Sequence, residues 1–178
     1  MTVFISGGAK NGKSSLAQDL AVRLAAGGPL YYVATMIPVD EEDRDRIRRH
    51  VEDRAGLGFR TLECGRNILS CLDRADRNGT FLVDSVTALL ANEMFSGCRI
   101  DGTAGERCAA ELAQFARSVG NAVFVSDGIY CDAARYDETT ELYRRGLARA
   151  DRALAAECDT VIEMVAGQRI VFKGGLPE

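Results

Sequence analysis

Several residue types and patterns are scarce in this sequence of 178 residues, and each scarcity excludes a class of protein. No apolar stretch approaches the roughly 18 residues that a membrane-spanning helix needs. The six cysteines form no C-x-x-C pair, which argues against a structural zinc site. Lysine and arginine number 22 against 26 aspartates and glutamates, and the net charge of −4 argues against a general nucleic-acid-binding protein. There is one histidine, His50, so any chemistry that needs an imidazole has to use this residue.

The rest of the composition is that of an ordinary globular protein, with 47% apolar and 27% charged residues. The length suits one domain, so we expect a single domain over residues 1–178. The first six residues are too short for a signal-peptide core and run directly into a glycine-rich motif. Without a secretory signal, we expect reduced cysteines and a cytoplasmic protein.

Short apolar runs alternate with helical patterns along the chain. The apolar runs predict strands over Val3–Ser6, Leu30–Ala34, Phe59–Leu62, Thr80–Val83, Ala122–Val125, Thr160–Val165 and Arg169–Phe172. The periodic segments predict helices over Ser14–Ala26, Asp40–Arg54, Asn67–Ala75, Val86–Phe95, Gly105–Val119 and Glu138–Ala156. This alternation indicates an α/β fold with a mostly parallel sheet, helices on both faces and a C-terminal hairpin. In such sheets, ligands bind beyond the carboxyl ends of the strands.

A complete phosphate-binding motif follows the first predicted strand. The segment Gly7-Gly8-Ala9-Lys10-Asn11-Gly12-Lys13-Ser14 matches G-x-x-x-x-G-K-[ST], with a helix after it. Its glycines allow backbone N–H groups to surround phosphate oxygens, and the helix N-terminus adds its positive dipole end. We expect Lys13 to reach the β- and γ-phosphates and Ser14 to bind Mg²⁺. The motif therefore predicts a P-loop NTPase-like domain that binds a purine nucleoside triphosphate; the alternative is a glycine-rich turn without a ligand.

A P-loop site also needs an acidic residue from a second strand beside Mg²⁺. Asp84 ends one apolar run and is our first candidate for this ligand. Asp127, which follows the apolar run Val123–Val125 and Ser126, is the alternative. Either aspartate could instead cap the turn or helix that follows it.

The only histidine lies in a highly charged predicted helix. Arg46, His50 and Arg54 are four residues apart and therefore share one helix face, beside a narrow apolar stripe of Ile47 and Val51 that could dock the helix. Arginines can hold phosphate oxygens by paired hydrogen bonds, and a neutral imidazole nitrogen is a nucleophile. The alternative is a solvated helix with ion pairs such as Glu42–Arg46 and Asp45–Arg49.

Together these residues resemble a known family, the bifunctional adenosylcobinamide kinase/adenosylcobinamide-phosphate guanylyltransferases of cobalamin biosynthesis. The most specific part of the likeness is Arg46-Ile47-x-x-His50-x-x-x-Arg54. The other segments that carry it are Ile5–Ser14, Tyr32–Thr35, Phe59-x-Thr61-x-Glu63, Val83-Asp84-Ser85 with Thr87 and Asn92, and Tyr143-Arg144 through Asp159-Thr160-Val161. The likeness spans nearly the whole chain and is weakest at about residues 96–137.

The resemblance implies two activities that use GTP and ATP. The P-loop region serves a kinase step that phosphorylates adenosylcobinamide. The histidine at the position of His50 takes GMP from GTP as a covalent phosphoramidate, pyrophosphate leaves, and the GMP passes to adenosylcobinamide phosphate. The resemblance also implies a homo-oligomer, with a trimer expected. Further nucleotide contacts are implied for Ala34, Thr35, Met36, Arg54 and Glu63.

The chain departs from the family pattern at several positions. The family typically has Thr-Asn-Glu where this chain has Ser126-Asp127-Gly128, and its usual Asn-Gln pair is replaced by Asp151-Arg152. Phe59 stands where the family usually has tryptophan, with a spacing one residue longer. The first two changes fall where we expect the acceptor or the kinase step to be served. The acceptor could therefore differ, or one of the two activities could be lost.

Two other functions fit the same motifs. The protein could be a P-loop kinase of another small molecule, with His50 as a bystander. It could also be a non-catalytic nucleotide-binding protein that kept the fold. The intact Lys13-Ser14 pair and His50 favour an enzyme.

Overall fold

Seven strands form one sheet in the computed structural model, which describes residues 1–97, 99–130 and 132–176. The strands are β1 (Thr2–Gly7), β2 (Leu30–Ala34), β3 (Arg60–Glu63), β4 (Thr80–Asp84), β5 (Asn121–Val125), β6 (Thr160–Val165) and β7 (Gln168–Lys173). Their order is β3-β2-β4-β5-β1-β6-β7, and β7 alone runs antiparallel, to β6. The predicted parallel sheet and terminal hairpin are confirmed.

The helices that connect these strands lie close to their predicted positions. They are α1 (Lys13–Ala25), α2 (Glu41–Asp53), α3 (Val86–Met94), α4 (Ala104–Ser118) and α5 (Glu138–Glu157). The helix predicted over Asn67–Ala75 is instead a 3₁₀ helix over Ile68–Arg74, the tighter form that short connections often take. Within the described ranges, no helix combines the length and apolarity needed to cross a membrane.

Two apolar clusters cover the two faces of the sheet. Leu20 and Ala21 of α1 pack on one face against Val3, Ile5 and other strand residues. Helices α3, α4 and α5 and the 3₁₀ helix pack on the opposite face. The central strands β1, β2, β4 and β5 are buried on both faces because parallel sheets need cover on both sides, whereas the edge strands β3 and β7 are largely exposed. The prediction of helices on both faces is therefore confirmed.

Helix α2 belongs to neither cluster. The Asp40 side chain caps its N-terminus by accepting a hydrogen bond from the Asp43 backbone N–H at 2.8 Å. None of its 13 residues is buried. Val51 of the predicted docking stripe is 51% exposed, and it lines a cleft together with Ile47 instead of meeting the core. The helix is too polar to bury a face of its own.

Four described cysteines, Cys64, Cys71, Cys108 and Cys158, are buried and free of disulfides, as expected for core thiols. Cys98 and Cys131 lie outside the described residues.

Helices α4 and α5 pack closely where Gly105 of α4 faces Gly146 of α5. A Cβ atom added to Gly105 would lie 2.5 Å from the Cα atom of Gly146, well inside van der Waals contact. The neighbouring atom belongs to the backbone, so relief would require one helix to move. This crossing therefore tolerates no side chain on Gly105.

Gly105→Ala is expected to lower the free energy of unfolding by about 2 kcal/mol, because overpacking at a backbone contact outweighs the helix propensity gained by alanine. Gly102→Ala is the matched control, since the nearest atom to its added Cβ is Leu142 Cδ2 at 3.8 Å. Urea unfolding followed by circular dichroism measures both variants. Equal stabilities of Gly105→Ala and Gly102→Ala would contradict the close approach of the two helices.

Candidate active site

Part of the predicted site lines a cleft at the carboxyl ends of the parallel strands, and the P-loop residues Gly7–Ser14 are not part of that lining. The cleft, of about 830 Å³, opens between the strand ends and α2. Its lining includes Tyr32, Ala34, Met36, Arg46, Ile47, His50, Val51, Arg54, Glu63, Asp84 and Ser85. Ligands were expected to bind beyond the carboxyl ends of the strands, and this cleft lies at those ends.

The P-loop leaves β1 at Gly7 and enters α1 at Lys13. Gly7 has a φ of 148°, and a Cβ atom there would lie 2.4 Å from the Met164 carbonyl oxygen of the neighbouring strand β6. Gly12 has a φ of 84°, a left-handed conformation that favours glycine. The motif glycines are thus required by the backbone itself, with Gly7 forced by its neighbour and Gly12 by its dihedral angle.

The Lys13 ammonium group is buried within this loop, with only 6% of the residue exposed. It donates to the Gly8 carbonyl oxygen at 2.6 Å and forms an ion pair with Asp127 Oδ1 at 2.9 Å. The loop after β5 is fastened to the P-loop a second time, because the Gly128 N–H donates to the Gly7 carbonyl at 3.1 Å. Asp127 therefore lies beside the P-loop as a partner of Lys13.

Asp84 ends β4 and lies between the P-loop and α2. Its Oδ2 atom accepts a hydrogen bond from the Tyr32 hydroxyl at 3.0 Å and lies 3.9 Å from His50 Nδ1. The Ser14 hydroxyl of the P-loop is near enough to lower the pKa of this carboxyl group. Burial raises the pKa of Asp84 above its ordinary value, while His50 and the hydroxyls of Tyr32 and Ser14 oppose that rise. One acidic side chain thus accepts a hydrogen bond from a second strand and lies near both the P-loop serine and the histidine.

The chemistry of this donor set fits Mg²⁺. A hydroxyl and a carboxylate are hard oxygen ligands, and Mg²⁺ in phosphate sites takes one or two protein oxygens while phosphates and water supply the rest. Ser14 and Asp84 are a hydroxyl and a carboxyl group of this kind, near one another. Among the described residues, no group of three or more His, Cys, Asp and Glu side chains could hold a metal ion by itself. A cation here would therefore depend on bound phosphates.

The arginines expected beside His50 have different surroundings. Arg54 is buried, with its guanidinium carbon 3.6 Å from the centroid of the Tyr32 ring, and it donates to the His50 carbonyl at 2.7 Å. Arg46 is exposed and lines the cleft. Arg44 and Arg48 pair with Glu41, but no acidic side chain in the described part of the chain pairs with Arg46. Arg46 therefore has a guanidinium free for a ligand.

Thr35 is placed differently from the other expected nucleotide contacts. Ala34, Met36 and Glu63 line the cleft, but the Thr35 side chain is fully buried outside the lining. Its Oγ1 donates to the Ser85 carbonyl at 2.8 Å and accepts from the Ser85 N–H at 2.6 Å. Thr35 holds the end of β4, so any influence it has on a nucleotide acts through that segment.

Two side chains at the site were given no role from the sequence. Tyr32 contacts Asp84 and Arg54, as described above. The Asn92 amide donates to the carbonyls of Thr35 at 2.7 Å and Gly65 at 2.9 Å, joining the ends of β2 and β3 to α3. Both residues belong to segments with a family likeness, but neither shows a motif that signals its contact.

The departures from the family pattern meet in space behind the P-loop. Asp151 of α5 is 3% exposed and accepts a hydrogen bond from the Tyr130 hydroxyl at 2.8 Å, with Ser126 and Asp127 nearby. Neither Asp151 Oδ1 nor Ser126 Oγ has a hydrogen-bond partner in the described ranges of the chain. Burial raises the pKa of Asp151 to about 6. Residues that are distant in sequence thus form one altered cluster.

Known proteins resemble this chain over nearly its whole length. A family model described as cobinamide kinase / cobinamide phosphate guanyltransferase matches residues 3–172. The bifunctional adenosylcobalamin biosynthesis protein CobU of Salmonella typhimurium strain LT2 is 26% identical over 186 residues, which cover 97% of this chain and 100% of that protein. Protein CobP of Pseudomonas aeruginosa strain PAO1, with the same description, is 31% identical over 179 residues, covering 98% of both chains.

A solved structure shares the fold. The KaiC-like protein PH0186 from Pyrococcus horikoshii OT3 superposes with a TM-score of 0.53 at 12% identity. The match covers 97% of this chain and 78% of that chain. At this identity the likeness shows the fold alone, and it agrees with the P-loop α/β architecture described above.

Asp151→Asn, which restores the residue usual in the family, is expected to stabilise the protein more as the pH rises. The folded-state pKa of about 6 lies above the unfolded value, so stability from Asp151 is complete below about pH 4 and is lost as the pH rises through 6. The stability difference between variant and parent should therefore grow by about 2 kcal/mol between pH 4 and pH 7.5.

Urea unfolding at both pH values measures this difference. Asp73→Asn is the control, since the Asp73 side chain is 79% exposed and should produce no such growth. A difference between Asp151→Asn and parent that stays constant with pH would contradict the buried environment of Asp151.

Proposed function

Because the chain belongs to the cobinamide kinase / cobinamide phosphate guanyltransferase family, we propose that it phosphorylates adenosylcobinamide and transfers GMP from GTP to adenosylcobinamide phosphate through a guanylylated His50. Its curated relatives are bifunctional enzymes of adenosylcobalamin biosynthesis by description, and they match end to end. The proposal extends their activities, their purine nucleotide substrates and a corrinoid acceptor to this chain.

The guanylyl transfer has two balanced steps. A nitrogen of the His50 ring attacks the α-phosphorus of GTP, an N–P bond forms, the bond to the α,β-bridging oxygen breaks, and pyrophosphate leaves. A phosphate oxygen of the acceptor then attacks the same phosphorus, the N–P bond breaks, and the free imidazole returns. The proton released from the ring in the first step is regained in the second.

The position of His50 beside the P-loop acid carries this proposal. Its Nδ1 atom lies 3.9 Å from Asp84, which is also in reach of Ser14 in the P-loop. A histidine that only served a solvated helix would have no reason to face this carboxylate. The free guanidinium of Arg46 on the same face is suited to steady α-phosphate oxygens as charge develops.

The P-loop residues serve both the kinase and the transferase step in this proposal. Backbone N–H groups of Gly8 to Lys13 hold the phosphates, and Lys13 exchanges its contacts with Gly8 and Asp127 for β- and γ-phosphate oxygens. Ser14 and Asp84 would hold Mg²⁺, which when bound neutralises phosphate charge. Ala34, Met36, Arg54 and Glu63 complete the nucleotide site.

Other properties implied by the family likeness belong to the same proposal. We propose a single domain over residues 1–178, a cytoplasmic location and a homotrimer. Size-exclusion chromatography with light scattering measures the oligomeric state directly. No nucleic-acid partner is proposed, in keeping with the net charge of −4.

His50→Ala is expected to lose covalent labelling by α-labelled GTP while GTP affinity changes little, because the ring supplies the nucleophile and not the phosphate site. Lys13→Ala is the contrasting variant and should lose productive GTP binding as well, since it removes the charge that matches the phosphates. Mass spectrometry after incubation with GTP and Mg²⁺ maps the adduct, which should be acid-labile and stable to base.

Other results assign the chain differently. A GMP adduct on a lysine, or no adduct while GTP is bound, would remove guanylyl transfer from the proposal. Turnover without labelling would indicate a small-molecule kinase, and binding without turnover a nucleotide-binding protein.

Asp84→Asn is expected to raise the Mg²⁺ concentration needed for half-maximal labelling by about tenfold or more, because it removes a charged ligand of the ion. Asp127→Asn should leave that concentration nearly unchanged, since Asp127 pairs with Lys13. Titration of labelling with Mg²⁺ compares the two variants. A large change in Asp127→Asn alone would reverse the assignment of the two acids.

A further inference from the structure

Four residues at the C-terminal end of α2 and in the adjacent strands form a closed set of contacts, one of which is to the backbone carbonyl of His50. The Tyr32 hydroxyl donates to Asp84 Oδ2 at 3.0 Å, and the same oxygen lies 3.9 Å from His50 Nδ1. The His50 carbonyl accepts a hydrogen bond from Arg54 at 2.7 Å, and the Arg54 guanidinium lies over the Tyr32 ring. Two series of contacts therefore lead from Tyr32 to His50, one through Asp84 and one through Arg54.

Tyr32 is the rigid member of this set. It lies in the middle of β2, is 4% exposed, and packs edge-on against Phe59 with the ring centroids 6.1 Å apart. By contrast, α2 has no buried residue and His50 is 34% exposed on its side chain. Rigid support for the histidine therefore has to come from the sheet.

The first series of contacts runs through Asp84 and sets the orientation of the imidazole. The ionised form of Asp84 only accepts hydrogen bonds, so an imidazole that closes the 3.9 Å separation presents its Nδ1–H to the carboxylate. The unprotonated Nε2 then points away from Asp84. Such contacts are often long before the substrate binds, as the 3.9 Å separation is here. The contacts of Asp84 with Tyr32 and with His50 both use Oδ2, so neither requires the second carboxylate oxygen.

The second series of contacts runs through Arg54 and sets the position of the helix backbone. The guanidinium lies 3.6 Å from the Tyr32 ring centroid, a cation–π distance, while it holds the carbonyl at the C-terminal end of α2. A positive charge at a helix C-terminus is also favourable for the helix dipole. The aromatic face of Tyr32 thus holds, through Arg54, the backbone that carries His50. The Tyr32 hydroxyl holds Asp84, the acid that faces His50.

We propose that Tyr32 is the positioning residue for guanylylation of His50, directing Nε2 toward the α-phosphorus of GTP through Asp84 and holding α2 in place through Arg54. This proposal rests on the proposed function, since it names the residue that orients the nucleophile of that reaction. In this role Tyr32 acts on His50 through Asp84 and Arg54.

Tyr32→Phe removes the hydroxyl and keeps the ring for Arg54 and Phe59. We expect the single-turnover rate of His50 labelling to fall roughly tenfold to hundredfold, with the GTP dissociation constant unchanged, because only the orientation of the nucleophile is lost. Tyr32→Leu also removes the aromatic face and should lower the rate further. Tyr31→Phe is the matched control. The hydroxyl of this neighbouring tyrosine accepts a hydrogen bond from the Asp76 N–H, away from the site. The labelling rate of Tyr31→Phe should therefore equal that of the parent.

A second measurement tests the same idea without turnover. The chain has one histidine, so ¹⁵N NMR at mildly alkaline pH observes one imidazole and reports which nitrogen carries the proton. The Nδ1–H form should dominate in the parent and decrease in Tyr32→Phe but not in Tyr31→Phe.

The outcomes separate this proposal from the proposed function. Equal labelling rates and equal imidazole spectra in the parent and Tyr32→Phe would overturn the role of Tyr32 while leaving guanylyl transfer intact. A parent protein that binds GTP and forms no His50 adduct would overturn both. A fall in GTP affinity equal to the fall in labelling rate would show that Tyr32 only supports the binding site, and would also overturn its positioning role.

Discussion

The arrangement of the site depends on the contacts that the Asp84 carboxyl group makes. It lies at the end of β4, where the strand order puts it beside β2 and within reach of the P-loop serine. Burying a charge is costly unless partners compensate for it, and here those partners are the hydroxyls of Tyr32 and Ser14 and the ring of His50. The carboxyl group that accepts the Tyr32 hydrogen bond is thereby also the group that faces the histidine, which brings β2, β4 and α2 together around one side chain.

The sheet and α2 contribute to the site in different ways. The sheet supplies fixed positions, because its central strands are covered on both faces and the backbone at Gly7 and Gly12 of the P-loop favours glycine. Helix α2 supplies reactive and charged groups with no apolar anchor of its own. Arg54 joins the two, since it packs on a sheet tyrosine and holds the last turn of the helix. A polar helix can stand over a cleft in this way without belonging to the core.

Local sequence patterns were sufficient for the elements but not for the contacts between them. Apolar runs such as Leu30–Ala34 and the P-loop motif predict their structures because the physical requirement lies within a few neighbouring residues. The 3₁₀ helix at Ile68–Arg74 was predicted only as a helix, since periodicity over so short a segment does not separate the two forms. The Tyr32–Asp84 hydrogen bond joins residues 52 positions apart and exists because β2 lies next to β4. The periodicity of the sequence does not predict the strand order, and it does not predict that Ser126, Tyr130 and Asp151 lie together.

The absence of buried residues in α2 has a consequence for how this protein can change over evolutionary time. Substitutions on a helix outside the core alter the free energy of unfolding little, so selection for a stable fold constrains that segment only weakly. The strands and α1 carry the opposite constraint. The exposed surface of α2 can therefore change in sequence at little cost to folding, whereas the strands and α1 cannot.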